Sequence, residues 1–353
     1  MSQTDQIGEM LRDSADRLFR AHCDTATRRS ADSGAWQDGL WGAIEEAGLH
    51  RALVPEAAGG FGVPVAEAMT LPRVAAAHAV PAPLAETMLA AWLLAEAGLD
   101  IPDGPLSIAP VRPGETVSLQ RTAEGWHAAG TVTRVPWGRD VGHVVLVGDL
   151  DGGSAVALAG KDGFTVLEQG ENVAREPRDS LRLTGPLVAA APAVVTAETL
   201  RLAGAAMRTQ QIAGALVRLS AMTVQYAQDR AQFGRPLGKF QAVQQNLAVL
   251  AGHAAAAAAA ADLAAEAFGD GMKMLPIAAG KARAGEAAGI AAAIAHQVHG
   301  AIGFTFEHEL HFFTRRLWSW RDEFGQETAW NRVIGRQMAL AGADALWASI
   351  TAA

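Results

Sequence analysis

The chain has 353 residues, a length that favours two or three packed units over one small core. Half of the residues are hydrophobic and 19% are charged, which is typical of an ordinary soluble globular protein. The formal net charge of −8 argues against nucleic acid as a main partner, because phosphate binding needs concentrated lysine and arginine.

The sequence patterns do not predict a membrane span or export from the cell. No apolar run approaches the ~20 residues of a membrane span. The stretch Met1–Phe19 is polar, amphipathic and rich in acids, unlike a secretory signal or a transit peptide. The single cysteine, Cys23, excludes an intrachain disulfide framework and fits a reducing compartment. We therefore expect no membrane span and a cytoplasmic location.

Residues 1–105 are predicted to form an N-terminal α-helical domain. Apolar residues recur near helical spacing from Ile7 to Phe19 and again from Trp36 to Ile44. Gly48 is predicted to end the second of these helices. The loop Leu53–Pro64 reads LVPEAAGGFGVP, and because no strand precedes it, a tight connection is favoured over a phosphate-binding loop.

Residues 106–193 are predicted to form a middle β domain. Short β-rich runs occur at Leu106–Val111, Thr116–Gln120, Trp126–Val135, Val144–Val147, Ala155–Ala159 and Phe164–Leu167. Turn clusters separate them and no helical pattern does, which favours an antiparallel barrel or sandwich over a parallel sheet. The Gly152–Gly153 pair predicts a hairpin turn.

Residues 194–353 are predicted to form a C-terminal four-helix bundle. Apolar residues at helical spacing mark its helices at Ile212–Tyr226, Phe240–Leu250, Ile290–Val298 and after Thr328. The eight consecutive alanines Ala254–Ala261 fit a helix, since alanine is the best helix former and small side chains allow close helix approach.

Two segments of this C-terminal half carry residue types suited to binding chemistry. The segment Tyr226–Gln241 reads YAQDRAQFGRPLGKFQ and joins two predicted helices. Its Arg230 offers a planar, permanently charged fork that suits a pyrophosphate, and Phe233 can stack on a flat base. The alternative is a surface arginine and a core phenylalanine on a helix connection. The second segment, Gln297–Glu307, reads QVHGAIGFTFE.

Together these two segments resemble the RxxFGxPLxxFQ and QxxGGxGFT motifs of the acyl-CoA dehydrogenase family of flavoenzymes. Ala301 replaces the second glycine of the pair, which weakens a close backbone approach without excluding it. The loop Leu53–Pro64 is similar to the VPExxGGxG loop of the family. The positions that the resemblance assigns to FAD contacts are Arg230, Gln232, Phe233, Phe240, Gln241, Gln297, Gly300, Ala301, Gly303 and Thr328.

The same resemblance implies a fold, a reaction and partners. The fold is an α+β arrangement of an N-terminal helical domain, a middle β domain and a C-terminal helical bundle. The reaction is α,β-dehydrogenation of an acyl-CoA thioester with FAD, and electrons pass to an electron-transfer flavoprotein. The family's adenine-end contacts reach across a subunit interface, so an oligomer is expected.

The catalytic base is harder to place from the sequence. In the family, the glutamate of an EGT segment takes the α-proton, which requires a positioned, desolvated carboxylate. Here Gly325 or Phe324 falls at that position, depending on the direction of counting, and Glu323 and Glu327 are the nearby candidates. A glutamate that merely stabilises a helix N-terminus is the alternative. The family's second known position falls near Gly204, with no acid within a turn.

Two further features depart from the family or from a simple interpretation. The TEP and GSD residue types of the middle domain are missing, and Thr133 and Trp137 are candidates to replace some of their flavin contacts. The histidines His296, His299, His308 and His311 cluster in sequence. Carboxylate or cysteine spacing does not support a closed metal site there, so no metal is expected.

Two classes of function therefore stay open. The first is an FAD-dependent acyl-CoA dehydrogenase that forms a homo-oligomer (dimer or tetramer) and uses an unusual base such as Glu327. The second is a non-catalytic subunit that completes the FAD site of a heteromer with a larger homologue, which acts on a bulky acyl-CoA such as a steroid side chain. A weaker third possibility is an oxygen-using relative on the same scaffold.

Overall fold

The computed structural model describes residues 3–351 of the chain. Their contacts define two units. Unit 1 contains the chain up to Leu71 together with Pro81–Gly204, and unit 2 contains Pro72–Val80 and the chain from Ala205 onward. The N-terminal helical region, apart from residues 72–80, and the β structure thus belong to one unit, and the division into three domains at residues 105 and 193 stays a prediction.

The region before residue 105 is helical, as predicted. Its α-helices are α1 (Gln3–His22), α2 (Thr25–Asp32), α3 (Asp38–Glu46), α4 (Val65–Ala68), α5 (Leu71–Ala77) and α6 (Leu84–Glu96). Gly48 follows α3 with a left-handed φ of 68°, which confirms it as a helix stop. A Cβ on Gly60 would lie 1.7 Å from the carbonyl oxygen of Val54, so the Leu53–Pro64 loop is the tight connection that was predicted.

The middle region forms one mixed sheet. Its strands are β1 (Leu106–Ile108), β2 (Val117–Thr122), β3 (Gly125–Pro136), β4 (His143–Leu150), β5 (Gly153–Gly160), β6 (Phe164–Glu168), β7 (Arg178–Leu183) and β8 (Ala189–Pro192). Their order is β6-β7-β3-β2-β4-β5-β8, with β1 beside β4. Most pairs are antiparallel, as predicted, but β1 and β2 each meet β4 in parallel, so the sheet is mixed.

The turn of the β4–β5 hairpin lies one residue earlier than predicted. Leu150 pairs with Gly153, so the two turn residues are Asp151 and Gly152, with φ values of 52° and 82°. Two successive left-handed residues are characteristic of the type I′ turn, whose twist matches that of the flanking strands. Gly153 is already part of β5.

The C-terminal half is a helical bundle with one more long helix than predicted. Its helices are α7 (Ala197–Asp229), α8 (Gln241–Gly269), α9 (Met274–His299), α10 (Leu310–Asp322), α11 (Glu327–Ala341) and the short α12 (Leu346–Thr351). Helix α10 was missed, and the helix predicted after Thr328 is α11. Helix α9 packs against α8, α10 and α11 and is therefore the central helix of the bundle.

The bundle core combines large side chains with many alanines. Leu216 and Leu219 of α7, Leu250 of α8 and Phe313 and Leu317 of α10 are buried in one apolar cluster. Alanines of α8 and α9 fill the remaining space. A Cβ on Gly280 of α9 would lie 2.8 Å from a carbonyl oxygen of α8, which shows how closely these two helices approach.

Helices α8 and α9 are each long and apolar enough to cross a membrane, judged by length and composition alone. The expectation that no apolar run approaches that length was therefore too strict, because alanine raises the mean hydropathy of both. Core helices of bundles pass the same test, and α9 is packed on several sides within this bundle.

Candidate functional site

The RAQFG segment forms an exposed hairpin between α7 and α8. Strands β9 (Ala231–Gln232) and β10 (Arg235–Pro236) pair, and Phe233 and Gly234 form the turn with φ values of 52° and 81°. The left-handed region is unfavourable for a bulky residue. The Phe233 side chain is nevertheless 91% exposed, so its ring is presented outward from the chain.

Basic and aromatic groups surround this turn. Arg230 and Gln232 are exposed, and the Arg230 carbonyl accepts a 2.8 Å hydrogen bond from the Leu237 amide. The Arg235 guanidinium lies 4.2 Å from the centroid of the Phe240 ring. Gln241, directly after Phe240, is the exposed first residue of α8. Permanent positive charges beside exposed aromatic rings suit a ligand that joins phosphates to a flat base.

The QVHG segment ends α9 and lines a second part of the site. Gln297, Gly300 and Ala301 border a recess of about 580 Å³, together with His296, Phe304 and Trp318. Gly300 has φ 61° and follows the last helical residue. Gly303 is buried, and a Cβ there would lie 2.9 Å from the His299 Cβ, so close packing requires glycine at this position.

The two segments lie at the same end of the bundle. Tyr226, one turn before Arg230 on α7, stacks on His299 of α9 with ring centroids 4.4 Å apart. The structure therefore brings together nine of the ten sequence-predicted cofactor positions. Thr328, the tenth, lies elsewhere.

The histidine side chains near this end of the bundle stack against other rings. Burial lowers the pKa of His299 to about 4, so its imidazole is neutral at pH 7. His296 stacks between Phe304 and Trp318, at 4.5 and 5.6 Å, and burial also lowers its pKa. Within residues 3–351, no group of three or more His, Cys, Asp or Glu side chains is arranged to hold a metal ion.

Glu323, one candidate base, is held in an ion pair. Its carboxylate lies 2.8 Å from Nε of Arg208, and the two side chains are 9% and 2% exposed. The same guanidinium lies 5.6 Å from the centroid of the Phe324 ring. A carboxylate fixed by a buried guanidinium is committed to that pair, and withdrawing it would leave Arg208 uncompensated. Glu323 is thus poorly suited to take a proton from a substrate.

Glu327, the other candidate base, is the first residue of α11 and faces open space. It lines a groove of about 920 Å³ between α9 and α11, named here the α9–α11 groove. Arg283, Arg321, Thr328 and Asn331 line the same groove. The position also suits an acid that stabilises the N-terminal dipole of α11. The structure is compatible with both roles.

Glu327 and the hairpin end lie apart along α9, although the α9–α11 groove reaches Ala293, which also borders the recess beside Gln297. Gly285 is beside Glu327, because a Cβ there would lie 3.0 Å from the Glu327 Cγ. Gln297 is twelve residues further along the same continuous helix. At 1.5 Å per residue, this places them roughly 18 Å apart. The candidate base and the candidate adenine-end residues of one chain therefore do not form a single cluster.

The proposed substitutes in the middle domain do not form a ligand-facing surface. Trp137 is 9% exposed and packs edge-to-face on Trp36, with centroids 6.1 Å apart. The Thr133 hydroxyl donates to the Glu115 carboxylate. Since both side chains are engaged within unit 1, the idea that they replace flavin contacts is not supported.

The sequence analysis missed two buried cations that lie beside the candidate bases. Arg208 fixes Glu323, and Lys281 of α9 is fully buried with its Nζ bonded to backbone carbonyls of the α10–α11 turn. A signal for Lys281 was present, because Ile277, Lys281, Ala284 and Ala288 share helical spacing and all are buried. A lysine in such a stripe indicates a buried partner.

Two family descriptions match the chain. "Acyl-CoA dehydrogenase, N-terminal domain" matches residues 6–100, and "Acyl-CoA dehydrogenase, C-terminal domain" matches residues 195–339. The acyl-CoA dehydrogenase IpdE2 of Mycobacterium tuberculosis is 31% identical over 320 residues, which are 87% of this chain and 90% of the relative. Its namesake from Mycolicibacterium smegmatis is 29% identical over 322 residues, covering 87% and 91%.

Solved structures share the fold over nearly the whole chain. The ChsE4–ChsE5 complex from Mycobacterium tuberculosis matches with a TM-score of 0.83 and 26% identity, covering 96% of this chain and 98% of the other. A variant of the Tcur3481–Tcur3483 steroid ACAD matches with a TM-score of 0.86 and 25% identity, covering 96% and 99%.

Proposed function

This chain belongs to the acyl-CoA dehydrogenase family, whose members are flavin oxidoreductases acting on CH–CH groups, and from that membership we propose its particular role. It takes part in the α,β-dehydrogenation of an acyl-CoA thioester with FAD, and an electron-transfer flavoprotein accepts the electrons. It does so as a subunit that completes the FAD site of a heteromer with a larger homologue. The substrate is a bulky acyl-CoA.

The observation that carries this proposal is the contrast between the hairpin end of α9 and its middle. At the hairpin end, groups suited to an adenine diphosphate are exposed: Arg230, Phe233 and Gln297. Near the middle, where Lys281 contacts the α10–α11 turn, the candidate base Glu323 is held in an ion pair with Arg208. Cofactor-binding groups are thus exposed, whereas one of the two candidate bases is already engaged. The matched structures include a two-protein complex and a steroid ACAD, which agrees with a heteromer and a bulky substrate.

The hairpin residues fit the adenine-diphosphate part of FAD. Arg230 would hold the pyrophosphate through its charged N–H groups, and Phe233 would cover the adenine face. Gly300, with φ 61° and nothing near its missing Cβ, lets the backbone approach a phosphate. When bound, FAD supplies the acceptor for the β-hydride. The chain's own contribution is to bind and orient one end of it.

A second candidate is a homo-oligomeric dehydrogenase with Glu327 as the base. It is favoured by one observation, the location of Glu327 in the α9–α11 groove beside Thr328. In this case the Glu327 carboxylate would accept the α-proton, and groove closure by another subunit would exclude water.

Flavin retention tests the proposed binding role. The chain should be purified alone and co-expressed with a homologue that has an intact EGT glutamate, and released flavin should be quantified against protein. We expect stoichiometric FAD only in the co-expressed assembly. Arg230→Ala should weaken retention roughly 10- to 100-fold, because a charge-assisted hydrogen bond to phosphate is lost. Arg218→Ala, an exposed arginine on α7, is the matched control. Equal retention by both variants would contradict the role of Arg230.

Turnover of the assembly separates the two candidates. In the heteromer, Glu327→Gln should change the turnover number by no more than about twofold. A general base contributes roughly 10²–10⁴-fold, so a loss of that size would establish Glu327 as the base and reject the non-catalytic role.

A further inference from the structure

The turn between α10 and α11, residues Asp322–Gln326, is held by a buried lysine from a third helix. Lys281 of α9 is 0% exposed. Its Nζ donates to the carbonyl oxygen of Arg321 at 2.6 Å and to that of Gly325 at 2.8 Å. Lys281 therefore bonds to the last turn of α10, just before the α10–α11 turn, and to the end of the α10–α11 turn itself.

The conformation of this turn needs such support. Phe324 and Gly325 are both left-handed, with φ values of 54° and 100°. Phenylalanine adopts that region only where the surroundings impose it. The indole N–H of Trp330 donates to the Phe324 carbonyl at 3.1 Å, and a Cβ on Gly325 would lie 2.7 Å from that same nitrogen. The turn is thus fixed between Lys281 and Trp330.

Charges face Lys281 from several elements. Arg208 of α7, Asp322 and Glu323 of the turn and Glu327 of α11 all act on it. Desolvation lowers the pKa of Lys281 to about 7, and Glu327 and Glu323 oppose that shift. A neutral amine still has two N–H donors, so both carbonyl bonds can persist when the proton is lost. The two carbonyl oxygens require correctly placed N–H donors, and these donors need not be charged.

Lys281 also bears on the α9–α11 groove. Helix α11 begins with Glu327 directly after the turn, and Thr328 follows. Gly285, one turn after Lys281 on α9, leaves the space into which the Glu327 side chain fits. We infer that Lys281 is a positioning residue: it fixes the α10–α11 turn and thereby the places of Glu327 and Thr328 in the groove. This assignment deepens the proposed function and rests on it for its meaning in the assembly.

The test compares Lys281→Met with Lys273→Met in the full chain. Methionine has a similar length but no donor, and Lys273 is an exposed lysine just before α9 that pairs with Asp270. Hydrogen exchange should show at least a tenfold loss of amide protection in residues 322–328 for Lys281→Met and less than a twofold change for Lys273→Met. The indole N–H resonance of Trp330, assigned with Trp330→Phe, should shift only in Lys281→Met. Unchanged protection and an unchanged indole resonance would overturn the inference.

A second variant keeps the test decisive if Lys281→Met does not fold. Lys281→Gln is neutral and one bond shorter, so its amide nitrogen falls short of the two carbonyl oxygens, and the same local loss of protection is expected. Wild-type protection in Lys281→Gln would then reject the positioning role. Neither measurement needs bound flavin or turnover, so failure here is distinguishable from failure of the proposed function, which flavin retention tests.

Discussion

The stability of the chain should depend on pH through Lys281. The unfolded lysine has a pKa of 10.5, and desolvation lowers the folded value to about 7. Below pH 7 both states carry the proton, so the full penalty of burying the ammonium opposes folding. Between pH 7 and 10.5 only the unfolded state keeps the proton, so the free energy of unfolding rises with pH. At 1.36 kcal/mol per pKa unit, this rise is at most about 5 kcal/mol in total.

Lys281→Met removes this titration and supplies the comparison. Urea unfolding of both proteins should be measured from pH 7 to pH 9.5, so that contributions from all other groups cancel in the difference. The variant loses two carbonyl hydrogen bonds at every pH, but that loss is constant. We therefore expect the stability of the wild type relative to the variant to rise by about 3 kcal/mol over this range. Lys273→Met should run parallel to the wild type. Parallel curves for Lys281→Met would refute the reasoning that its ammonium is desolvated.

Two further substitutions test the buried ion pair and the tight loop. Arg208→Met should destabilise the chain by about 3–5 kcal/mol, because Glu323 would remain buried without its partner. Arg201→Met, on the same helix in a more exposed pair, should change stability by less than about 1 kcal/mol. Equal losses of stability for the two variants in thermal unfolding would contradict the argument. Gly60→Ala would place a Cβ 1.7 Å from a carbonyl oxygen, so it should lower the melting temperature by several degrees, and an unchanged melting temperature would contradict the tight packing of the loop.

The order of helices, strands and helices was predictable because long periodic patterns and Gly–Pro punctuation are local signals. Two of the elements that were missed have charges on buried faces. Strand β7 contains Asp179, whose fully buried carboxylate is paired with Arg139, 40 residues earlier in the chain. Helix α10 contains Arg316, which is 2% exposed and donates to the Phe312 carbonyl. A charged residue suggests an exposed position when its buried partner is unknown. The apolar periodicity of β7 and α10 was therefore not recognised.

The candidate site was predictable only where a motif carried it. The exposed hairpin and the end of α9 were found through their resemblance to family motifs, and the structure places them together. Whether Glu323 and Glu327 are held in an ion pair or line a groove depends on contacts with residues that are distant in the sequence. No local pattern contains those contacts. Arg208 and Glu323 are 115 residues apart, and Lys281 and Gly325 are 44 apart. Sequence spacing could identify the acids, but it could not show that one of them is held in an ion pair.

The conformation of Phe233 gives an independent reason to expect a ligand or partner at the hairpin. A left-handed φ of 52° at a bulky residue costs about 1–3 kcal/mol, and a ring that is 91% exposed recovers almost nothing by burial within the chain. Asparagine or glycine at this turn position would avoid that penalty. Burying a phenylalanine ring against another surface is worth about 1.5–3 kcal/mol, enough to offset the strain. Phe233 therefore carries a local strain in the isolated chain that covering its ring would offset, and stacking on an adenine at a subunit interface would provide that cover.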